Sequence, residues 1–255
     1  MRTISSLFIM LIAGLSLNAF ASPININLAP NTIVNGSYAN QLNYTSGTTN
    51  LAVTGWSNGT ITTKTCTQYK KNGSCKTWTN ITSVDPKIEQ SVMGKWVGLG
   101  VEQANSPNHA IDNEKGDYDM LLLSFNQIVS LMSLDIGWFQ KDADVSVLAF
   151  TGTSFSGSLV GKTWASLLGD WSVVGNYDRN GTGSFAINNA GLTSQYWLVG
   201  AYNSAFGGNL SVNNDYFKLR GLSFELPVRK VSEPGSLLLL LVGLVGIASL
   251  RRRAH

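Results

Sequence analysis

Apolar and polar positions along this chain fall into short runs with a period of two, not 3.6. The runs are Asn50 to Trp56, Thr60 to Tyr69, Lys76 to Val84, Val92 to Val101, Met120 to Phe125, Val129 to Phe139, Asp144 to Phe150, Trp171 to Tyr177, Ser184 to Ile187, Tyr196 to Tyr202 and Tyr216 to Leu226. Gly, Asn, Asp and Ser separate them, which predicts strands joined by tight turns. Only Lys162 to Leu168 offers a helical turn or two. In the last run Phe217 and Leu219 share one parity, whereas Leu222, Phe224 and Leu226 share the other. One extra residue near Gly221 restores the phase, so a β-bulge is predicted there. Many short strands with little helix predict an all-β chain, a β-sandwich of jelly-roll type.

Two uninterrupted apolar segments stand outside this alternation. Near the N-terminus Arg2 precedes Leu7 to Leu17, and Ala19-Phe20-Ala21 places small residues where signal peptidase reads them. A signal peptide over 1–21 is therefore expected, with export through the general secretory route. At the other end come Glu233-Pro234, an apolar stretch over 235–250 and Arg251-Arg252-Arg253. Ser236 to Leu250 as a helix reaches only ~22 Å against a hydrocarbon core of ~30 Å, a marginal single transmembrane anchor. The arginines resist translocation, which leaves the body outside the cytoplasmic membrane and the basic 251–255 tail inside. Pro234 stops the helix from running back, so the segment before it stays extended and reachable. The expected organisation is a signal peptide, an extracellular domain over 22–227, a tether over 228–234, a transmembrane helix over 235–250 and a cytoplasmic tail.

The order Glu-Pro, short apolar helix, basic stop resembles the sorting tail of bacterial PEP-CTERM proteins. Ser232 stands where that pattern usually has its first Pro. The resemblance implies an exosortase as partner, with Glu233 and Pro234 as the recognition motif and Arg251, Arg252 and Arg253 as the membrane stop. It also implies residence in the membrane only until cleavage, then at the cell surface or in the extracellular matrix. Within the body, Ser106 to Asn113, Asp117-Tyr118-Asp119 with Leu121 to Phe125, Tyr196 to Asn203 and Asp215 to Leu219 resemble segments of extracellular domains in some PEP-CTERM surface proteins. They bring no catalytic residue with them.

The chain carries 18 Lys+Arg against 15 Asp+Glu, but four of the arginines lie in the terminal segments. Between Ser22 and Glu233 the count is 14 against 15, one net negative, so the basic balance is a property of the tails. That removes the warrant for nucleic acid as a partner, which requires a basic surface on the folded domain. Cys66 and Cys75 are the only cysteines and flank Asn72-Gly73. In an oxidising compartment this spacing predicts a disulfide across a hairpin. Two cysteines with no second His/Cys cluster do not complete a structural zinc site.

Candidate chemistry concentrates in the loop with Asp112, Asn113, Glu114, Asp117 and Asp119, opposed only by Lys115. Calcium takes six to eight oxygens, and Asp112, Asn113, Asp117 and Asp119 are the candidate ligands of a structural calcium. The spacing is not that of an EF-hand. Asn and Asp equally hold loops by bonding their own backbone, and the two readings stand side by side. Asp117 with Asp119, or Asp142 with Asp144, supplies paired carboxylates for glycoside hydrolysis. His109 is the one histidine besides His255, so any Ser-His or Cys-His mechanism runs through it. No Gly-x-Ser-x-Gly elbow is present. Of seven tryptophans, Trp78 lies in the most polar context, and Lys64, Lys70, Lys71 and Lys76 surround it with no acid between Thr54 and Val84. Trp78, Lys70 and Lys71 are thus candidate ligand-binding residues for an anionic polysaccharide. A charged strand edge guarded against aggregation is the plainer explanation of the lysines.

Three function classes follow. The leading one is a non-enzymatic surface or matrix protein, sorted by an exosortase, associated with extracellular polysaccharide and without a catalytic cofactor. The alternative is a carbohydrate-binding module with the same tail. The third is a secreted glycoside hydrolase using Asp117 or Asp119.

Overall fold

A computed structural model of the protein describes residues 22–29, 38–95, 97–102 and 109–227, without the side chains of Lys95 and Glu102. The segments expected as signal peptide (1–21), tether (228–234, with Glu233-Pro234), transmembrane helix (235–250) and basic tail (Arg251 to Arg253), together with Trp96 and Ser106 to Asn108, lie outside the described residues. Among the described residues no helix is long and apolar enough to cross a membrane.

Residues 22–227 form one compact unit. It is all-β, as the period of two requires. Its strands are β1 (Ile24–Asn27), β2 (Tyr38–Ala39), β3 (Leu42–Ser46), β4 (Thr49–Ser57), β5 (Thr60–Tyr69), β6 (Cys75–Val84), β7 (Glu89–Lys95), β8 (Leu99–Glu102), β9 (Ile111–Asp112), β10 (Met120–Phe139), β11 (Val145–Phe150), β12 (Trp171–Tyr177), β13 (Gly183–Ala186), β14 (Ser194–Ala201) and β15 (Tyr216–Glu225). Thirteen of them make one sheet in the order β1-β15-β8-β7-β4-β10-β14-β11-β12, with β13 on β10, β2 on β7, β3 on β4 and β9 on β15. Strand β10 pairs with β15 as well, so β10, β15, β8, β7 and β4 form a closed circuit. Closure of this kind removes free edges.

The twenty-residue β10 organises the sheet. Met120 to Phe125 run between β4 and β14, and Ser130 to Phe139 run along β15, with Ser133 to Ile136 also against β13. The partner change falls at Asn126 and Gln127, whose amides bond Asn50 N, Thr48 O and Thr49 Oγ1. Those polar residues explain why the sequence reads as two strands there. The first half of β10 is buried on both faces. Leu121, Leu123 and Phe125 join the main core with Val147, Val199, Phe217 and Phe224. Met120 and Leu122 join a second cluster with Trp56, Leu148, Leu198 and Trp164. Double burial accounts for the unbroken run Met120 to Leu123, where one-sided strands would alternate.

The bulge expected near Gly221 is present one residue earlier. Asp135 faces Gly221 and Ile136 faces Leu219, leaving Arg220 unopposed and exposed. Phe217, Leu219, Leu222 and Phe224 all reach the core as a result. The single run Val92 to Val101 is two strands, because the chain reverses at Val97 (φ 59°) and Gly98 (φ 145°). A Cβ at Gly98 would sit 2.9 Å from the backbone of Leu219, so only glycine fits this turn. The predicted helical turn is a 3-10 segment, Trp164–Gly169, opened by a Thr163–Ser166 capping box.

Candidate functional site

Strands β5 and β6 stand apart from the large sheet as a two-stranded arm, from Thr60 opposite Val84 to Tyr69 opposite Cys75. Both faces are exposed; only Cys66 and Cys75 are half-buried. The tip turns through Asn72 and Gly73 (φ 83°), with Lys70 N donating to Ser74 O at 2.8 Å and Gly73 N to Lys70 O at 2.9 Å. The Cys66–Cys75 disulfide crosses just below it, as the hairpin spacing predicted. Threonine hydroxyls tie the strands further, Thr62 to Thr82 at 3.1 Å and Thr67 to Thr79 at 3.4 Å.

The arm carries Trp78, 60% exposed, Tyr69, 68% exposed, and the exposed Lys64, Lys70, Lys71 and Lys76. Trp56, Trp164, Trp171 and Trp197 are buried, and Trp138 is partly so. Trp78 is thus the exposed tryptophan among the described residues. At the base, buried Asn58 donates to Asp85 O and Gly116 O and accepts from Tyr118 N and Trp164 Nε1. Asp117 Oδ1 accepts from Ser57 Oγ at 2.6 Å and Gly59 N at 2.8 Å. Asn58 anchors the base of the arm, a role the sequence reading did not assign it. An Asn-Gly pair before a strand was its only signal.

The expected calcium ligands do not come together as one set. The chain turns at Lys115 (φ 55°) and Gly116 (φ 85°), which sends Asp117 to the arm base. Asp112 and Asp119 face each other, with Asp112 N donating to Asp119 Oδ2 at 3.3 Å. Burial, with the neighbouring carboxylates adding, pushes the Asp112 carboxyl up to about 7. Burial likewise raises Asp119 well above the usual range, and Asp112 adds to it. Asn113 turns away from both. Its Nδ2 donates to Tyr202 O and Asp215 Oδ2, and its Oδ1 accepts from Asp215 N.

The three carboxylates that do converge are Asp142, Asp144 and Asp215, with oxygens within 4.8 Å of one another. Asp215 Oδ1 accepts from Asp144 N, Asp144 Oδ1 from Arg179 N, and Asp142 Oδ2 from Asn214 Nδ2 and Ser211 Oγ. Burial raises Asp215 to about 7 and Asp144 to about 6. The triad is compatible with a cation. Asp142 and Asp144 were visible in the sequence as a pair, whereas Asp215 is brought to them by the fold, through a parallel bridge to Asp142 and the Asp144 N donation.

The remaining candidates have structural partners. His109, at φ 55°, bonds Tyr38 Oη through Nε2 at 3.0 Å, and its Cβ lies 3.0 Å from where a side chain on Gly94 would begin. A polar groove of about 260 Å³ runs past Asn25, Asn27, Ser133 and Ser184, where Arg220 and Asp135 form an ion pair at 2.7 Å. A smaller hollow of about 170 Å³ lies beside Phe155 and Trp171. No protein-family model matches the chain, and no curated protein matches its sequence.

Proposed function

We propose that this chain is a non-enzymatic exported surface or matrix protein, sorted and processed by an exosortase through its C-terminal tail, on a β-sandwich body of jelly-roll kind. The observation that carries the reading is the sequence order of the tail, Glu233-Pro234, an apolar stretch and Arg251 to Arg253, opposite an N-terminal signal segment. The Cys66–Cys75 disulfide supports an oxidising compartment. The antiparallel pairing of the body's strands, with apolar side chains gathered in a main core and a second cluster, supports the sandwich. In this reading the protein passes through the membrane and ends at the cell surface or in the matrix. The test is intact mass and C-terminal sequence of the extracellular protein from the native host and from an exosortase-deficient strain. Loss of the segment after Glu233-Pro234 in the parent strain alone is the expected result. A tail retained through His255 in both strains refutes it.

The arm favours a second reading, a carbohydrate-binding module with the same address. A tryptophan with most of its surface in water, on an arm that contributes nothing to the core, is placed to stack on sugar rings. Trp78→Ala is then expected to abolish retention in polysaccharide affinity gels; retention equal to the parent's counts against this reading. The hydrolase alternative has less support, since Asp117 is engaged at the arm base and Asp119 is buried.

A further inference from the structure

We propose that the β5–β6 arm binds acidic polysaccharide, with its lysines pairing with glycan carboxylates and Trp78 and Tyr69 packing on sugar rings. The inference rests on the carbohydrate-binding reading and adds the charge class of the ligand. Lys64, Lys70, Lys71 and Lys76 are exposed on the arm, and no acidic residue lies between Thr54 and Val84. The local charge is therefore +4 on a domain (22–227) whose 12 Lys+Arg against 14 Asp+Glu leave it two net negative. Such a concentration attracts polyanions to this element and not to the rest of the surface.

The arrangement on the arm fits a glycan. Lys64 stands opposite Asn80 and Cys66 opposite Trp78, so Lys64 and Trp78 lie on one face of the ribbon, one step apart. Thr62 and Thr82 continue that face with hydroxyls. Lys70 and Lys71 occupy the turn, and Lys76 is the unopposed residue between the Gln68–Thr77 and Tyr69–Cys75 pairs. One face thus offers a ring platform, hydroxyls and a cation, and the tip offers three more cations nearby.

Two other occupants fit less well. A second copy of the arm would place four lysines against four, a repulsion that also guards its open strand edges. For duplex DNA the charge density is mismatched. Three of the four lysines gather at the tip and Lys64 stands alone on the ribbon face, whereas duplex DNA carries one negative charge per ~1.7 Å along its whole axis. An acidic sugar chain meets the face with its rings and the tip with its carboxylates.

The experiment is affinity electrophoresis of the purified full chain in non-ionic detergent, through gels containing polygalacturonate or neutral dextran, beside a shift assay with duplex DNA. Every variant keeps Arg251 to Arg253, so differences among variants belong to the arm. The parent is expected to be retarded by polygalacturonate far more than by dextran. The variant K64Q/K70Q/K71Q/K76Q is expected to lose ~tenfold or more of that affinity at low salt, and the parent to lose a similar amount at high salt. Parent-like amide exchange protection in β5 and β6 shows that the variant arm is folded. Equal retardation by both glycans, lost in Trp78→Ala but not in the lysine variant, overturns the acidic assignment and leaves the carbohydrate-binding reading standing. No retardation by either glycan overturns both. Binding to DNA tighter than to polygalacturonate overturns the glycan assignment in favour of nucleic acid.

Discussion

The arm and the β10–β15 pair are both antiparallel two-strand pairings, yet they are held together in opposite ways. The arm closes locally across one turn, buries none of its hydrophobic side chains and relies on a disulfide, threonine pairs and an anchored base. The β10–β15 pair joins residues 90 apart, such as Ser133 and Ser223, and aims Leu131, Leu134, Ile136, Leu219, Leu222 and Phe224 into the main core. An isolated two-stranded hairpin is marginal in water, whereas buried apolar area is the dominant favourable term in folding. Stability therefore resides in the body, and the arm's surface is free to carry recognition without a folding role.

The sharpest way to break that comparison is a matched pair of truncations. Phe224, fully buried with its ring 5.1 Å from that of Phe125, is expected to cost about 3–5 kcal/mol when changed to Ala. Ile81→Ala on the arm is expected to cost less than ~0.5 kcal/mol. Urea unfolding measures both, and comparable losses would show that the arm is part of the fold. Next in size is Asn58→Ala, which removes four hydrogen bonds where the arm meets the body. Leaving buried partners unsatisfied is expected to cost about 2–4 kcal/mol and to expose arm amides to exchange. An unchanged unfolding midpoint would place Asn58 outside the body's cooperative unit.

The two regions also differ in how legible they were. Strand β5 was read residue for residue and β6 within one, because a hairpin is local: alternation, Asn72-Gly73 and the Cys spacing all lie inside it. The β15 bulge was legible from the parity change between Leu219 and Leu222. What escaped were short strands defined only by their partners, such as β1 against β15 and β9 at Ile111–Asp112. The continuity of β10 through Asn126 and Gln127 escaped for the same reason. In the candidate site, Trp78, Lys70 and Lys71 were legible because a polar context marks exposure. The acidic cluster was not, since loop turns at Lys115 and Gly116 separate neighbours in sequence while the fold brings Asp215 to Asp142 and Asp144.

Buried carboxylates in that cluster and at Asp112 make the body, and not the arm, sensitive to pH. Asp112, Asp144 and Asp215 bind a proton more tightly folded than unfolded, since burial raises them from 3.8 to about 7, 6 and 7. Between pH ~4 and ~7 the unfolded chain therefore binds fewer protons, and stability falls as pH rises through that window, then levels off. The expected outcome is a lower Tm at pH 8 than at pH 4. Asp215→Asn is expected to flatten the profile. The acid-side gain is expected to persist in EGTA. A stability maximum that moves to alkaline pH on adding Ca²⁺ would instead assign the charge relief to a cation at Asp142, Asp144 and Asp215.

The smallest global effect is expected from the covalent link itself. For a loop the size of that between Cys66 and Cys75, the chain-entropy treatment gives about 2–3 kcal/mol. That stabilisation counts against whatever opening the disulfide restrains. If the arm opens without the body, Cys66→Ser/Cys75→Ser raises amide exchange in β5 and β6 by roughly 30- to 150-fold and lowers global stability in urea by less than ~0.5 kcal/mol. The base contacts at Asn58 and Asp117 remain in place in that variant and hold the body's side of the junction. A global loss equal to the full 2–3 kcal/mol would mean that arm and body unfold as one. The arm would then be tied to the core, and the separation between the two regions would fail.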